Sequence, residues 1–330
     1  MRNEPTSSPP DATRKESAAP AARQSGVPRW HRAVAAAVSL VIPGGGQLAL
    51  GRLRRALILL LAYVGLVAVG ALSGRRGLLV AGIAGAGLIR LGGAVDVARL
   101  APGHRVPPWW QTGPLWLALF IMLSAGSGAL RQHVLESYSN PSGSMMPTMQ
   151  VGDRFFVFKR AGAPRHGDVY AFRTPQNPNT VYVKRLIGLP GDRVTICGSE
   201  VRLDDQPLRR EPLAGSCQYE DSDPLDPTAP VRHIPCVAFR EWIGERSYTV
   251  IHNGKPQGLA DLHPECRTFQ VPAESAFVLG DNRDNSFDSR HLPAVYVPYP
   301  LLVGRAWFIW YSGGREGVRW ERFLSLLQTP

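Results

Sequence analysis

Residues 180–192, TVYVKRLIGLPGD, decide the fold of the C-terminal half of this 330-residue chain. The run is rich in β-branched and aromatic residues and closes on Pro190 followed by Gly191, the order of a type II turn. Alternation along an extended strand places Tyr182, Lys184 and Leu186 on one face. The segment therefore predicts a β-strand that holds a lysine between apolar side chains.

Similar short runs occur from Asp153 to near the C-terminus, and no convincing long helix interrupts them. They are RFFVFKR, GDVYAFRT, RVTIC, RSYTVIHN, SAFVLGDN and GRAWFIWYS. Each is bounded by turn residues, as strands of an antiparallel fold are. We therefore predict an all-β domain over residues 132–330. Residues of about 198–264, richer in Pro, Asp and Arg, are predicted to form a β-rich insertion within it.

Apolar segments dominate the region before this domain. Residues 56–73, 77–95 and 114–130 approach the length of about 20 residues that a membrane-spanning helix needs. We predict a membrane region over 32–131 with about three transmembrane helices. The apolar run 33–50 is broken by Pro43 and three glycines, so a re-entrant or interfacial hairpin is as good an interpretation as a fourth span.

The charge distribution predicts the topology. Residues 1–114 hold 14 Lys and Arg against 4 Asp and Glu, a balance of +10, whereas residues 115–330 hold 23 against 22, a balance of +1. The excess therefore flanks the apolar segments, as it does on the cytoplasmic side of membranes, and the nearly neutral β half gives no reason to expect nucleic acid binding.

Orientation follows from where these arginines lie. Residues 1–31, which lack an apolar period, are predicted to be a disordered cytoplasmic tail. Arg52, Arg54 and Arg55 and the loop at 99–105 are placed on the same side, although Arg75 and Arg76 argue mildly against this arrangement. Three spans then put the β domain on the periplasmic, extracytoplasmic side of the inner or plasma membrane.

All four cysteines lie in the β half, at 197, 217, 236 and 266. None shows CxxC spacing, so we expect no metal. In an oxidising compartment two disulfides would form, with three pairings open, and four reduced buried thiols are the alternative.

Candidate nucleophiles lie in residues 139–153, SNPSGSMMPTMQVGD, just after the last apolar segment. This stretch holds three candidate hydroxyls, those of Ser142, Ser144 and Thr148. A nucleophilic serine needs a base, which could be one of eight histidines or a lysine held neutral. HExxH and GxSxG motifs are absent from the sequence, and a Ser-His-Asp triad stays open. Lys184, flanked by apolar side chains, is the lysine candidate, and a solvated surface lysine is the alternative reading.

Four segments, in order, resemble the conserved boxes of bacterial type I signal peptidases, the membrane-anchored Ser/Lys endopeptidases of peptidase family S26. They are PSGSMMPTMQVGD, GDVYAF, YVKRLIGLPGD and GDNRDNSFDSR. The match runs from about Asn140 to Tyr311 and is poor in the 198–264 insertion. Matched to the family, Ser144 is the expected nucleophile and Lys184 the expected general base.

The resemblance also implies supporting roles. Ser142 is expected to join the Ser144 backbone N–H in an oxyanion hole, and Ser286 to orient the lysine. Asp288 with Arg290, and Asp281 with Arg185, are expected to form supporting ion pairs, while Met145 packs beside the dyad.

The implied function is cleavage of signal peptides from exported preproteins, after small residues at positions −1 and −3. The expected partners are preprotein signal peptides and membrane lipid, in proximity to the secretion translocon, and no cofactor is expected. One alternative is a relative dedicated to pilin or conjugation substrates. The other is an inactive homologue that acts as a binding scaffold, which the presence of Ser144 and Lys184 argues against.

Overall fold

The computed structural model describes residues 29–73, 75–99, 109–221, 232–253, 266–293, 295–314 and 317–327. The predicted tail at 1–31 lies almost wholly outside these ranges, as do the loop at 100–108 and parts of the predicted insertion. The helices are α1 Arg29–Val41, α2 Gly45–Ala49, α3 Leu53–Leu72, α4 Arg76–Ala98 and α5 Trp109–His133.

The strands follow the helices in sequence. They are β1 Leu135–Ser139, β2 Asp153–Phe158, β3 Val169–Phe172, β4 Tyr182–Gly188, β5 Arg193–Cys197, β6 Glu200–Leu203, β7 Gln206–Pro207, β8 Arg210–Pro212, β9 Cys217–Asp221, β10 Arg232–Ile243, β11 Arg246–Asn253, β12 Arg267–Gln270, β13 Ser275–Leu279, β14 Val297–Pro298, β15 Leu302–Gly314 and β16 Gly317–Val318.

Three of the described helices are long and apolar enough to cross a membrane. They cover Leu53–Leu72, Gly77–Ala98 and Thr112–His133, with mean hydropathies of 2.2, 1.8 and 1.6. Their lengths of 20, 22 and 22 residues match the thickness of a bilayer core. The predicted fold class, apolar helices followed by a β-rich domain, is confirmed.

The segment predicted to be a re-entrant or interfacial hairpin consists of α1, a turn and the short helix α2. Pro43 cannot continue a helix, and Gly44 adopts a φ of 77°, which glycine tolerates best. The returning chain is held by the Gln47 side chain, whose amide donates to Gly93 O at 2.8 Å and to Asp96 Oδ2 at 3.2 Å. The segment is thus not one continuous helix, and its depth in a membrane stays a prediction.

The main sheet of the β domain is antiparallel, with the strand order β1-β2-β15-β3-β4-β13-β14, and β16 pairs with the end of β15. Strand β4 lies inside this sheet, paired with β3 on one side and β13 on the other, so that Lys184 faces Tyr170 across the ladder. The predicted strand at 180–188 is therefore confirmed as a central, buried element.

Two smaller sheets follow from the region between β4 and β13. Strands β12, β5, β6 and β7 form one, and β11, β10, β8 and β9 form the other. A shared core of buried side chains, including Ile187, Val194, Tyr248 and Phe277, packs them onto the main sheet. The described part of the predicted insertion is therefore built into the domain and not appended to it.

Both disulfides cross-link strands that are paired in these small sheets. Cys197 bonds Cys266 beside the β5–β12 pair, and Cys217 bonds Cys236 directly across the β9–β10 ladder. The cysteine pairing that the sequence left open is thus fixed by strand register, and no free thiol remains. Each bond stabilises the domain chiefly by restricting the unfolded chain.

Candidate active site

Ser144 lies on a single turn of 3-10 helix, Gly143–Met145, between β1 and β2. Ser142 precedes this turn in an extended conformation, and its Oγ accepts a hydrogen bond from Ser144 N–H at 3.1 Å. This cap places the two hydroxyls predicted to act in catalysis side by side. The Ser144 side chain is 9% exposed, so little solvent reaches it.

Lys184 lies on β4, which places its side chain beside Ser144. Its Nζ lies 2.7 Å from Ser144 Oγ and 3.1 Å from the carbonyl oxygen of Val183. The side chain is only 4% exposed, so the alternative of a solvated surface lysine does not hold. The partner of Ser144 Oγ in the described structure is thus this lysine and not one of the candidate histidines.

Burial lowers the pKa of the Lys184 amine. Loss of solvation lowers the pKa of Lys184 from 10.5 to about 8, with a smaller contribution from the positive charge of Arg290. Asp288 and Asp281 act in the opposite direction and raise this pKa, but burial outweighs them. At pH 7 an amine with this pKa is neutral in about one molecule in ten, against fewer than about one in a thousand at 10.5.

The loop after β13, residues 280–290, covers the other side of the dyad. Two of its three carboxylates, those of Asp281 and Asp288, are bound by arginines. Arg290 binds Asp288 through Nε and Nη2, at 2.8 Å each. Burial raises the pKa of Asp288, but the Arg290 guanidinium and the Gly280 N–H outweigh that effect and hold the pKa below its usual value. The predicted Asp288–Arg290 pair is therefore formed, although its role in catalysis stays a prediction.

The second predicted pair is formed as well. Arg185 donates from Nε to Asp281 Oδ1 at 2.8 Å and from Nη2 to Oδ2 at 2.6 Å. Both side chains are almost fully buried, and Thr148 Oγ1 donates to the same carboxylate at 2.5 Å. The pair thereby ties β4, the start of the loop and the segment after Ser144 together.

Ser286 and Met145 occupy the expected neighbourhood. Ser286 is 1% exposed and lines the same pocket as Ser144 and Lys184. Within the described residues its hydroxyl makes no hydrogen bond to Lys184, so its orienting role stays a prediction. Met145, 1% exposed, points into an apolar cluster with Met149 and Phe155, as a structural residue would.

An open pocket of about 400 Å³ lies in front of the dyad. It is lined by residues 139–142, by residues 180–183 and by Asn285, Ser286 and Phe287, together with Ser144 and Lys184. Two chain segments, 139–142 and 180–183, thus line the space beside the Ser144 hydroxyl. Within the described ranges, no cluster of three His, Cys, Asp or Glu side chains is placed to hold a metal ion.

Several contributors escaped the sequence analysis. Asn282, fully buried, donates its N–H to Ser144 O at 3.1 Å and its side-chain amide to Gly143 O at 3.2 Å. It lies inside the GDNRDNSFDSR segment, so the motif itself was the available signal. Glu241 and Tyr248, which lie in the insertion, contact the same loop through Arg283 and Arg185. The sequence indicated these two residues more weakly. The indication was the single acidic residue, Glu241, on the apolar face of a strand.

A serine against a buried lysine, carried by a β domain behind apolar helices, is an arrangement suited to a membrane-associated peptidase. A protein-family model described as "Signal peptidase, peptidase S26" matches residues 114–311, more than half of the chain. The chain belongs to this family, and it is accordingly a serine endopeptidase that cleaves signal peptides.

Individual relatives agree with this assignment. Signal peptidase I of Pseudomonas aeruginosa is 33% identical over 217 residues, covering 59% of this chain and 69% of that protein. Signal peptidase I of Buchnera aphidicola is 27% identical, with 63% and 75% covered. That of Rickettsia bellii is 30% identical, with 58% and 71% covered. A solved signal peptidase I from Enterococcus faecalis is 23% identical and covers 44% of this chain and 97% of its own, but its TM-score of 0.24 is too low to support an argument.

Gly280 offers a test of how tightly the loop packs on the nucleophile turn. A Cβ at this position would lie 2.1 Å from Ser286 Oγ and 2.5 Å from Ser144 O, so Gly280→Ala must displace both atoms or move residue 280 away from them. We expect turnover of a preprotein to fall about a hundredfold, the effect of a displacement near 1 Å. Gly126→Ala, with no atom within 4 Å of the added Cβ, is the matched control. A Gly280→Ala enzyme with wild-type kcat would contradict this packing.

Proposed function

We propose that the chain cleaves signal peptides by a Ser/Lys mechanism, with Ser144 as nucleophile and Lys184 as general base. The observation that carries this proposal is the 2.7 Å contact between Ser144 Oγ and the buried Nζ of Lys184. A lysine at its ordinary pKa could not take a proton at neutral pH, whereas one with a pKa of about 8 can.

The chemical steps follow from this contact. Ser144 Oγ bonds to the carbonyl carbon of residue −1 while its proton passes to Lys184 Nζ. The C–N bond then breaks, and Lys184 returns the proton to the leaving amine of the mature protein. A water molecule, deprotonated by Lys184 Nζ, then adds to the acyl-enzyme carbonyl. The bond between that carbon and Ser144 Oγ breaks, Lys184 returns the proton to Ser144 Oγ, and the signal peptide leaves with a free carboxylate.

Two donors are available for the negatively charged oxygen that develops at the attacked carbonyl. They are the backbone N–H of Ser144 and the hydroxyl of Ser142. In the structure this N–H donates to Ser142 Oγ, which leaves the hydroxyl proton free to point into the pocket. Substrate binding would exchange the internal hydrogen bond for two to the oxyanion. Preorganised donors of this kind contribute roughly 3 kcal/mol each in comparable hydrolases.

The pocket geometry is compatible with an extended substrate. Residues 139–142 and 180–183 flank it, so a signal peptide can lie between them as an added strand. In such a strand alternate side chains, those of −1 and −3, face the same wall. We propose that this wall admits only small side chains at both positions.

The helices support a multi-pass topology with the β domain outside the cytoplasm. Ala71 near the end of α3 and Leu79 near the start of α4 are buried with Val134, Phe158 and Trp307 of the β domain. This shared cluster supports the proposal that the α3–α4 turn and the β domain lie on the same side of the membrane, as three spans require. We propose membrane lipid and preprotein signal peptides as its partners, in proximity to the secretion translocon.

The dyad is tested by single substitutions. We expect Ser144→Ala and Lys184→Ala each to lower preprotein cleavage by about 10⁴-fold or more, because members of a catalytic unit fail together. Lys159→Ala, which removes a partly buried ion pair with Glu136 away from the dyad, is the control and should retain turnover within about twofold. Cleavage is measured with full-length enzyme in detergent or membranes, and wild-type turnover by either dyad variant would disprove the assignment.

The pH dependence is the second test. Lys184 acts as a base only when neutral, so below its pKa of about 8 each pH unit should lower kcat/KM about tenfold. Activity should therefore rise as pH increases through this range. Single-turnover measurements ensure that chemistry is observed. A flat profile from about pH 5 to 9 would exclude a neutral lysine base.

Topology is tested by cysteine labelling at three exposed positions. With a membrane-impermeant maleimide and intact spheroplasts, Gln132→Cys and Ser73→Cys should react, whereas Arg54→Cys should react only after lysis. These positions lie beside the β domain, at the end of α3 and at the start of α3. Protection of Ser73→Cys together with labelling of Arg54→Cys would reverse the proposed orientation.

A further inference from the structure

Glu241 is a fully buried acid in the insertion, far from the conserved segments in sequence. It lies on β10, is 1% exposed, and shares a strand face with Phe239 and Ile243. Ile243 belongs to the apolar core that joins the small sheets to the main sheet. A charge in this position is costly unless it is paired and hydrogen-bonded. The partners of Glu241 therefore indicate which groups its carboxylate orients.

The partners of Glu241 are Arg283 and Tyr248. Arg283 donates from Nη1 to Glu241 Oε2 at 3.0 Å and from Nη2 to Oε1, and the Tyr248 hydroxyl donates to Oε1 at 2.7 Å. Arg283 is 2% exposed, so both charges are withdrawn from solvent. Burial raises the pKa of Glu241, but the Arg283 guanidinium outweighs it and keeps the pKa below its usual value.

Arg283 belongs to the loop 280–290, which packs on the nucleophile turn. Its neighbour Asn282 donates its N–H to Ser144 O at 3.1 Å. Strand β11 binds this part of the loop through Ile251, whose N–H donates to Asp281 O and whose O accepts from Arg283 N–H. The hairpin of β10 and β11 thus binds the loop in two ways near Arg283: through backbone hydrogen bonds from Ile251 and through the buried ion pair with Glu241.

Tyr248 provides a second connection from Glu241 to the site. The guanidinium of Arg185 lies 4.1 Å from the centre of the Tyr248 ring, and Arg185 binds Asp281 through two hydrogen bonds. Glu241 therefore orients both an arginine of the loop and the aromatic ring beneath the arginine that follows Lys184 in β4.

We propose that Glu241 is a positioning residue for the Ser144–Lys184 site, acting through Arg283 and Tyr248 to fix the loop 280–290. This inference rests on the proposed dyad. A buried ion pair is a weak source of net stability compared with apolar residues of similar volume. Its specific contribution here is the orientation of a loop that carries Asn282, Ser286 and Asp288 around the reacting atoms.

The test compares Glu241→Gln with Glu211→Gln in the same sheet. Glutamine keeps the shape of the acid but loses the charge that holds Arg283. Glu211 forms an exposed pair with Arg209, so the control removes a charge without touching the loop. We expect Glu241→Gln to lower kcat at least tenfold with little change in KM, because a displaced loop impairs chemistry more than binding.

The pH profile separates positioning from a merely structural role. Asp281, Asp288 and Arg290 act on Lys184, and Arg283, Tyr248 and His252 act on Glu241. A loosened loop admits water to Lys184, so its pKa should move from about 8 towards 10.5, and the acid limb of kcat/KM should shift to higher pH. Glu211→Gln should leave the limb where it is.

Folding is controlled with the double variant Glu241→Gln/Arg283→Gln, which leaves no unpaired buried charge. Thermal unfolding of the full chain identifies which variants are folded. The double variant should fold. Its kcat should be no lower than that of the less active of the two single variants, Glu241→Gln and Arg283→Gln, because each substitution removes the same ion pair. Wild-type kcat and an unmoved acid limb in a folded Glu241→Gln or double variant would overturn the proposal. Ser144→Ala, assayed in parallel, shows independently whether the dyad assignment holds.

Discussion

The burial of Lys184 against Ser144 is the contact on which the rest of the site depends. In water a lysine amine is protonated at neutral pH and has no lone pair to accept the serine proton. Strand β4 removes this amine from solvent by holding it inside a sheet, beside Tyr182 and Leu186 of one apolar cluster. The resulting pKa of about 8 is a property of the domain, because packing on both faces of β4 produces it.

Two carboxylates near the buried amine favour its protonated form, and two arginines offset their charge. Asp281 and Asp288 both raise the pKa of Lys184, and an unpaired carboxylate in contact with the amine would return it to the protonated form. Each carboxylate is instead bound through two hydrogen bonds by its own arginine, Arg185 or Arg290. The ion pairs therefore order the loop while offsetting the negative charge that would protonate the proposed base.

The alternation of residue types along the sequence predicted where the strands lie. It could not predict which strands pair with each other. Alternation and the turn at Pro190 were enough to place β4, and the match of whole segments to a family pointed to Ser144 and Lys184. The disulfide pairing depended on which strands become neighbours, which no spacing of four cysteines encodes. Glu241 was missed because its meaning comes from Arg283, a partner brought near by tertiary folding.

The insertion illustrates how a segment with poor sequence similarity can still be tied to the site. Its described outer strands carry exposed ion pairs such as Arg209–Glu211, which contribute little and can change freely. Close to the main sheet, Ile243, Tyr248 and Val250 are buried in the common core, and Glu241 is confined by two partners. A substitution there must satisfy packing and charge together. We therefore expect tolerance of substitution within the insertion to increase with distance from the loop 280–290, because packing and charge are both confined only near that loop.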